Sequence, residues 1–210
     1  MTERPIALMW FRNDLRLSDN PALLAAIKWA DQNDGVVLPV FILDPVISGQ
    51  LGGATKWWLE KSLSVLEASL SKLGKTQGGL RLFTGDASPI LENIADAKPI
   101  KAVFWNRLYD KPSTARDTEI KATLQDRGLT CESFKANLLF EPWEVKTGGG
   151  TDFKGYSPFW RACQKCPPPR DPLKAPENIK LLEGEIDGEV DLAAFDLGPK
   201  PFDWAGGFSE

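Results

Sequence analysis

The chain has 210 residues, 42% of them hydrophobic, and a formal net charge of -4, which suits one domain with a buried core plus an appendage. That charge argues against a chain that grips nucleic acid by itself, and the absence of histidine excludes a Ser-His-Asp hydrolase and a His-based zinc site. Three cysteines, no secretion-signal layout after Met1-Thr2-Glu3-Arg4-Pro5 and no run near the ~20 apolar residues of a membrane span predict a reducing, cytoplasmic setting away from membranes.

Taken in chain order, apolar runs alternate with amphipathic stretches, the pattern of repeated strand-helix units. Ile6–Phe11 is continuously apolar, as a strand covered on both faces must be. Asn20 then offers a cap for a helix with Pro21 at its first position. Val36–Leu43 is a second fully apolar strand. Leu59, Leu63, Leu66, Leu70 and Leu73 recur at steps of four and three and predict a helix packed on the sheet. Residues 80–83 form a strand with polar interruptions; Ser88 and Pro89 repeat the cap-and-proline device; residues 102–105 give a short apolar strand; and Gly128 closes a helix over 112–127. Residues 131–134 are a fifth strand, again mixed in polarity. Placing the two mixed strands at the edges, with right-handed crossovers, predicts a five-stranded doubly wound parallel sheet of order 3-2-1-4-5, a Rossmann-like α/β fold.

After about Trp160 the periodicity fades into Cys166-Pro167-Pro168-Pro169-Arg170-Asp171-Pro172 and an acidic, proline-punctuated stretch to Glu210. This reads as an extended linker, so the expected division is an α/β domain over 1–135 and a linker over 136–210, mobile from Asp171 onward. Its aromatics Phe195, Phe202, Trp204 and Phe208 normally seek a surface to pack on, which suggests a fragment of a longer protein.

Ligands of doubly wound sheets sit beyond the carboxyl ends of the strands where strand order reverses, here between strands 1 and 4. The loop Arg12-Asn13-Asp14 should face Trp105-Asn106-Arg107-Leu108-Tyr109-Asp110 across that crevice. An aromatic wall with amide, guanidinium and carboxylate groups suits a flat, polar-edged heterocycle better than a phosphate, and no glycine-rich loop follows strand 1 to hold a dinucleotide. Arg12, Asp14 and Arg16 are equally readable as a charge-paired loop that fixes the helix entry or docks another domain, and Asn106 as a strand-end turn residue. Cys163-Gln164-Lys165-Cys166 has redox-motif spacing but precedes a triple proline instead of opening a helix, and Gly148-Gly149-Gly150-Thr151 lacks the Lys-Ser/Thr of a phosphate loop.

The stretch Trp10-Phe11-Arg12-Asn13-Asp14-Leu15-Arg16-Leu17-Ser18-Asp19-Asn20-Pro21-Ala22-Leu23 resembles the amino-terminal signature of the DNA photolyase and cryptochrome family of light-driven flavoproteins. The resemblance recurs in Val40-Phe41-Ile42-Leu43-Asp44-Pro45, in Trp57-Trp58-Leu59-Glu60-Lys61-Ser62-Leu63, in Leu138-Leu139-Phe140-Glu141-Pro142-Trp143-Glu144-Val145 and in Tyr156-Ser157-Pro158-Phe159-Trp160-Arg161. It implies the antenna-binding amino-terminal domain of a deoxyribodipyrimidine photolyase, a carbon-carbon lyase whose full protein repairs cyclobutane pyrimidine dimers in damaged DNA with FAD and blue light. FAD would sit in a helical domain of the same polypeptide, beyond this linker, together with the family's redox tryptophans. The parent is expected as a monomer, and the chain alone as inactive, with no catalytic or metal-binding residue.

By the same resemblance the cofactor-binding residues would be Asn106, Arg107, Arg12, Asp14 and Tyr109, with Asn106 at the position that contacts the antenna pterin in folate-binding members. Arg107 departs from the Glu found there, which leaves methenyltetrahydrofolate first, a deazaflavin second and no antenna third. The rival readings are the same domain of a cryptochrome blue-light photoreceptor and a stand-alone nucleotide-binding module whose tail folds back on its own domain.

Overall fold

The computed structural model describes residues 4–45 and 51–198. Five parallel strands, β1 (Ile6–Phe11), β2 (Val36–Leu43), β3 (Arg81–Thr84), β4 (Ile100–Asn106) and β5 (Thr130–Phe134), form one sheet in the expected order β3-β2-β1-β4-β5. Helices α1 (Pro21–Gln32) and α2 (Gly53–Gly74) cover one face, and α3 (Ala87–Ala97) and α4 (Lys111–Asp126) the other. A shorter helix, α5 (Tyr156–Cys163), follows the sheet.

Alternation explains why the central strands are apolar throughout. Side chains of a strand point to opposite faces in turn, so Ala7, Met9 and Phe11 enter the core under α1 and α2, while Ile6, Leu8 and Trp10 enter the core under α3 and α4. The leucine stripe of α2 faces the first of these cores: Leu63, Leu66 and Leu70 are buried, and Leu59 and Leu73 flank them. The Asn20 cap forms as expected, its Oδ1 accepting from the Leu23 amide at 3.1 Å with Pro21 at the first helical position.

Two expectations need correction. The cap of α3 is not Ser88, which lies inside the helix with its hydroxyl on Glu92 at 3.2 Å; Asp86 occupies the cap position, and the Ala87 amide donates to Asp44 Oδ2 at 3.2 Å. A carboxylate from the end of β2 thus does the work that a local hydroxyl would do. The second correction concerns the tail, of which Phe202, Trp204 and Phe208 lie outside the described residues. Residues 171–198 do not hang free: Ile179, Leu181, Ile186, Phe195 and Leu197 are buried in the two cores.

This segment, hereafter the strap, pairs with the sheet. β3 meets β2 only along Val40–Leu43, so the first half of β2 has no strand on that side. The Val37 amide donates to Lys180 O at 2.7 Å and Val37 O accepts from the Leu182 amide at 2.9 Å, while the Val190 amide reaches Leu82 O at 2.9 Å on the outer side of β3. Pro39, an odd residue in a central strand, falls on the same open side as Val37, two residues on, where no strand asks for its missing N–H. Gly74 ends α2 hard against the strap: a Cβ there would lie 2.4 Å from Leu181 Cδ1.

Because they are hydrogen-bonded over buried side chains, the Leu182 and Val190 amides are expected to exchange at least ~100-fold more slowly than an unstructured chain. Exchange at random-coil rates in hydrogen-exchange mass spectrometry would show the tail to be loose.

Candidate functional site

At the reversal point between β1 and β4, two shells of polar side chains meet. The inner shell is buried, with Arg12 at 2%, Asp14 at 1%, Asn20 at 0% and Asn106 at 1% exposure. β4 ends on Asn106 and delivers its amide beneath the β1-α1 loop: Nδ2 donates to Asp14 and to Asn20 Oδ1 (2.8 Å), and Oδ1 accepts from the Ala22 amide (3.2 Å). Asn20 and Asn106 together therefore satisfy two of the free amides of the first turn of α1. Asp14 folds back on its own loop, taking the Arg12 amide at 2.7 Å.

The Arg12 side chain spans the crevice in the other direction. It donates to Asp117 Oδ2 on α4 at 2.5 Å and to the Asn106 carbonyl. Burial pulls its guanidinium below the ordinary value, while Asp117 acts in the opposite sense. Asp117 also accepts from Arg116 at 2.9 Å, and Arg116 reaches Asp44 at 3.0 Å, so one charge chain links β1, α4 and β2. The Arg12 and Arg116 guanidiniums both lie over the Trp10 ring, 4.9 and 5.1 Å from its centre, with Trp105 edge-on at 6.1 Å.

The outer shell is more open. Arg107 Nε donates to Glu141 Oε1 at 2.7 Å, and its Nη1 to Ser133 O at 2.6 Å. The Tyr109 hydroxyl donates to the same Glu141 oxygen at 2.8 Å. Trp143, 57% exposed, closes the group, 6.3 Å from the Tyr109 ring and 5.9 Å from the Arg107 guanidinium. Burial first, and then Glu141, push the Tyr109 phenol up from 10.0 to about 12. Two concavities adjoin the carboxyl ends of β4 and β5. One, of about 330 Å³, has Trp105, Arg107, Lys121 and Ser133 in its wall. The other, of about 700 Å³, runs between residues 134–140 and Pro167-Pro168-Pro169-Arg170, with Asp19 at its rim.

The structure thus brings the five sequence-selected residues to one end of the sheet but divides them. Arg12, Asp14 and Asn106 are committed to protein partners, with both Asn106 amide protons used, while Arg107 and Tyr109 are partly exposed. Sequence reasoning missed Asp117 and Glu141. Asp117 had a readable signal: Ser113, Asp117, Ile120 and Leu124 form one buried stripe of α4, and a carboxylate inside such a stripe implies a buried cation. Glu141 had no such pattern in its loop. Cys163 is buried at the end of α5 and Cys166 lies on the wall of the larger groove, both as thiols. Among the described residues no helix is long and apolar enough to cross a membrane.

Comparison with known proteins agrees with the fold. The family profile described as DNA photolyase matches residues 7–177. The deoxyribodipyrimidine photo-lyase of Agrobacterium fabrum is 41% identical over 203 residues, 97% of this chain and 40% of that protein. Cryptochrome-1 of Arabidopsis thaliana is 36% identical over 86% of the chain and 26% of its own length. A crystal structure of a bacterial class III photolyase from Agrobacterium tumefaciens superposes with a TM-score of 0.86 at 38% identity, over 100% of this chain and 41% of that one. The chain belongs to the DNA photolyase family. It spans about two fifths of the length of the photolyases it matches.

Asn106→Ala is expected to destabilise the fold by ~2–4 kcal/mol, since it strands the Ala22 amide and half of the Asp14 carboxylate. Urea unfolding measures this, and a midpoint equal to wild type would mean that the amide is not structural.

A second prediction concerns the two tyrosines of the chain. In a Tyr156→Phe background, ultraviolet titration should show Tyr109 ionising near pH 12, shifted part of the way back by Glu141→Gln. The folded pKa lies above the unfolded one, so the stabilisation is complete below about pH 10 and disappears as the pH rises through about 12. Ionisation at pH 10 in the folded chain would contradict the burial and the hydrogen bond.

Proposed function

We propose that this chain is the antenna-bearing amino-terminal domain of a deoxyribodipyrimidine photolyase, an enzyme that uses FAD and blue light to repair cyclobutane pyrimidine dimers in DNA. The observation that carries the reading is 41% identity across 97% of the chain to the Agrobacterium photolyase, against 36% across 86% to Arabidopsis cryptochrome-1. FAD would be held by a helical domain of the same polypeptide, where it would supply the electron chemistry. Residues 1–135 are then the antenna domain, and 136–210 the connection, which clamps its own sheet on the way. A fold-back tail was also the mark of a stand-alone nucleotide-binding module, but the family match outweighs it.

The antenna reading rests on room and on chemistry. A groove of about 700 Å³ is of the size that takes a flat heterocycle, and Phe134, Phe140 and the three prolines offer apolar walls. Outside the groove, Tyr109, Trp143 and Arg107 present ring faces and a guanidinium, with Arg107 in the wall of the smaller concavity. In this reading, the pigment lies in the groove and reaches past its rim to Arg107 and Tyr109, which do not line the groove itself. Arg12, Asp14 and Asn106 hold the floor behind them, because the Arg12 Nη atoms, the Asp14 carboxylate and the Asn106 amide are already taken. Methenyltetrahydrofolate is the first candidate and a deazaflavin the second.

The sequence similarity to cryptochrome-1 keeps a photoreceptor as the second reading. Both share this domain, so repair of a dimer-containing oligonucleotide under blue light by a polypeptide that includes the FAD-binding part decides between them.

The antenna test is made on the chain itself. One pigment should bind with 1:1 stoichiometry and a shifted near-ultraviolet band, and Trp143→Ala should weaken it ~10-fold with an unchanged unfolding midpoint. Failure of both pigments to bind would overturn the antenna reading while leaving the family assignment intact.

A further inference from the structure

α5 is a helix with almost nothing beneath it. Of its eight residues only Cys163 is buried, and Gly155 at the cap position offers the first turn no side-chain acceptor. A helix this short is marginal in water by itself, because two turns of hydrogen bonds do not repay nucleation, so packing against something else must hold it. Here the apolar face points outward. Tyr156, Phe159 and Trp160 share that face at steps of three and four, with Tyr156 74% and Trp160 45% exposed. The Tyr156 and Trp160 rings stack on each other, 6.5 Å apart and 5° from parallel, and Phe153 meets Phe159 edge-on at 6.1 Å.

The charge around these rings has one sign. From Phe153 to Arg170 the sequence has Lys154, Arg161, Lys165 and Arg170 and no acidic residue, in a chain whose net charge is -4. Arg170 is taken by Asp19 at 2.5 Å. Lys154, Arg161 and Lys165 are exposed and have no ion-pair partner among the described residues. Exposed aromatics with unpaired cations beside them have the composition of an uncovered interface.

We propose that the aromatic face of α5 docks the rest of a photolyase-length polypeptide, which receives it in an apolar groove with an acidic rim. This deepens the photolyase reading and rests on it. The occupant follows from length and from charge. The chain spans 40% of the Agrobacterium photolyase, so most of such a polypeptide remains to be placed, and a covalently attached partner covers the helix at all times. A second copy fits poorly, because a two-fold contact through this face would set Lys154, Arg161 and Lys165 against their own kind. Single-stranded nucleic acid fits poorly as well, since Tyr156 and Trp160 already spend one ring face on each other.

Hydrogen exchange of α5 tests this in two polypeptides, the 210-residue chain and one that includes the FAD-binding part. In the first, the amides of residues 159–163 should exchange within ~10-fold of unstructured rates; in the second, at least ~100-fold more slowly. Arg161→Glu with Lys165→Glu in the longer polypeptide should remove most of that protection, whereas Lys28→Glu with Lys61→Glu, the same charge change on α1 and α2, should leave it in place. Equal exchange of α5 in the two polypeptides overturns the docking, and so does an equal effect of the two charge reversals. Protection of the 210-residue chain that grows with its own concentration, or on adding a single-stranded oligonucleotide, assigns the face to a second copy or to nucleic acid and overturns it too. Dimer repair by the longer polypeptide is read separately. Repair with α5 unprotected sinks the docking and leaves the photolyase reading standing; protection without repair does the reverse.

Discussion

One guanidinium, that of Arg12, locks the crevice end of the fold. It leaves the carboxyl end of β1 and is received by Asp117 on α4 and by the carbonyl of Asn106 at the end of β4. A charge this deeply buried needs partners, which Arg12 has at both Nη atoms though not at Nε, and removing one of them leaves the rest uncompensated. The β1-α1 loop, the start of α1, the end of β4 and the middle of α4 are consequently fixed relative to one another by polar geometry, at the point where the sheet changes direction. The outer residues Arg107, Tyr109 and Glu141 gain a rigid base from this arrangement.

The sheet was legible because its physics is local. Three wholly apolar runs and two mixed ones order themselves as centre and edge once each strand needs cover on two faces. The start of α3 was not legible, because its first amide is met by Asp44 from another strand, and Ser88 offered a plausible local cap that the structure does not use. The strap was hidden for a related reason. Ile179, Leu181, Ile186 and Val190 are isolated apolar residues in an acidic stretch, and their pattern has meaning only beside the half of β2 that β3 fails to reach.

The candidate site was legible in position but not in depth. The reversal point picked out loops that the structure brings together, yet neither composition nor resemblance told which side chains face inward. Asn106 illustrates the difficulty: an amide at the end of a strand suits a ligand and suits a buried network equally, and here Asp14, Asn20 and Ala22 claim it. Arg107 takes its carboxylate from Glu141 in the following loop, whose oxygen serves both Arg107 and Tyr109.

The strap also imposes an order on synthesis. The ribosome delivers β2 and β3 long before the segment that finishes their border: at ~5–20 residues per second, the roughly hundred residues between Thr84 and Leu182 take ~5–20 s to emerge. During that interval the nascent chain carries a half-dressed sheet, and polysomes place many such chains side by side. A proline that supplies no donor and a border strand of only four residues are then protections for the newborn molecule as much as for the mature one.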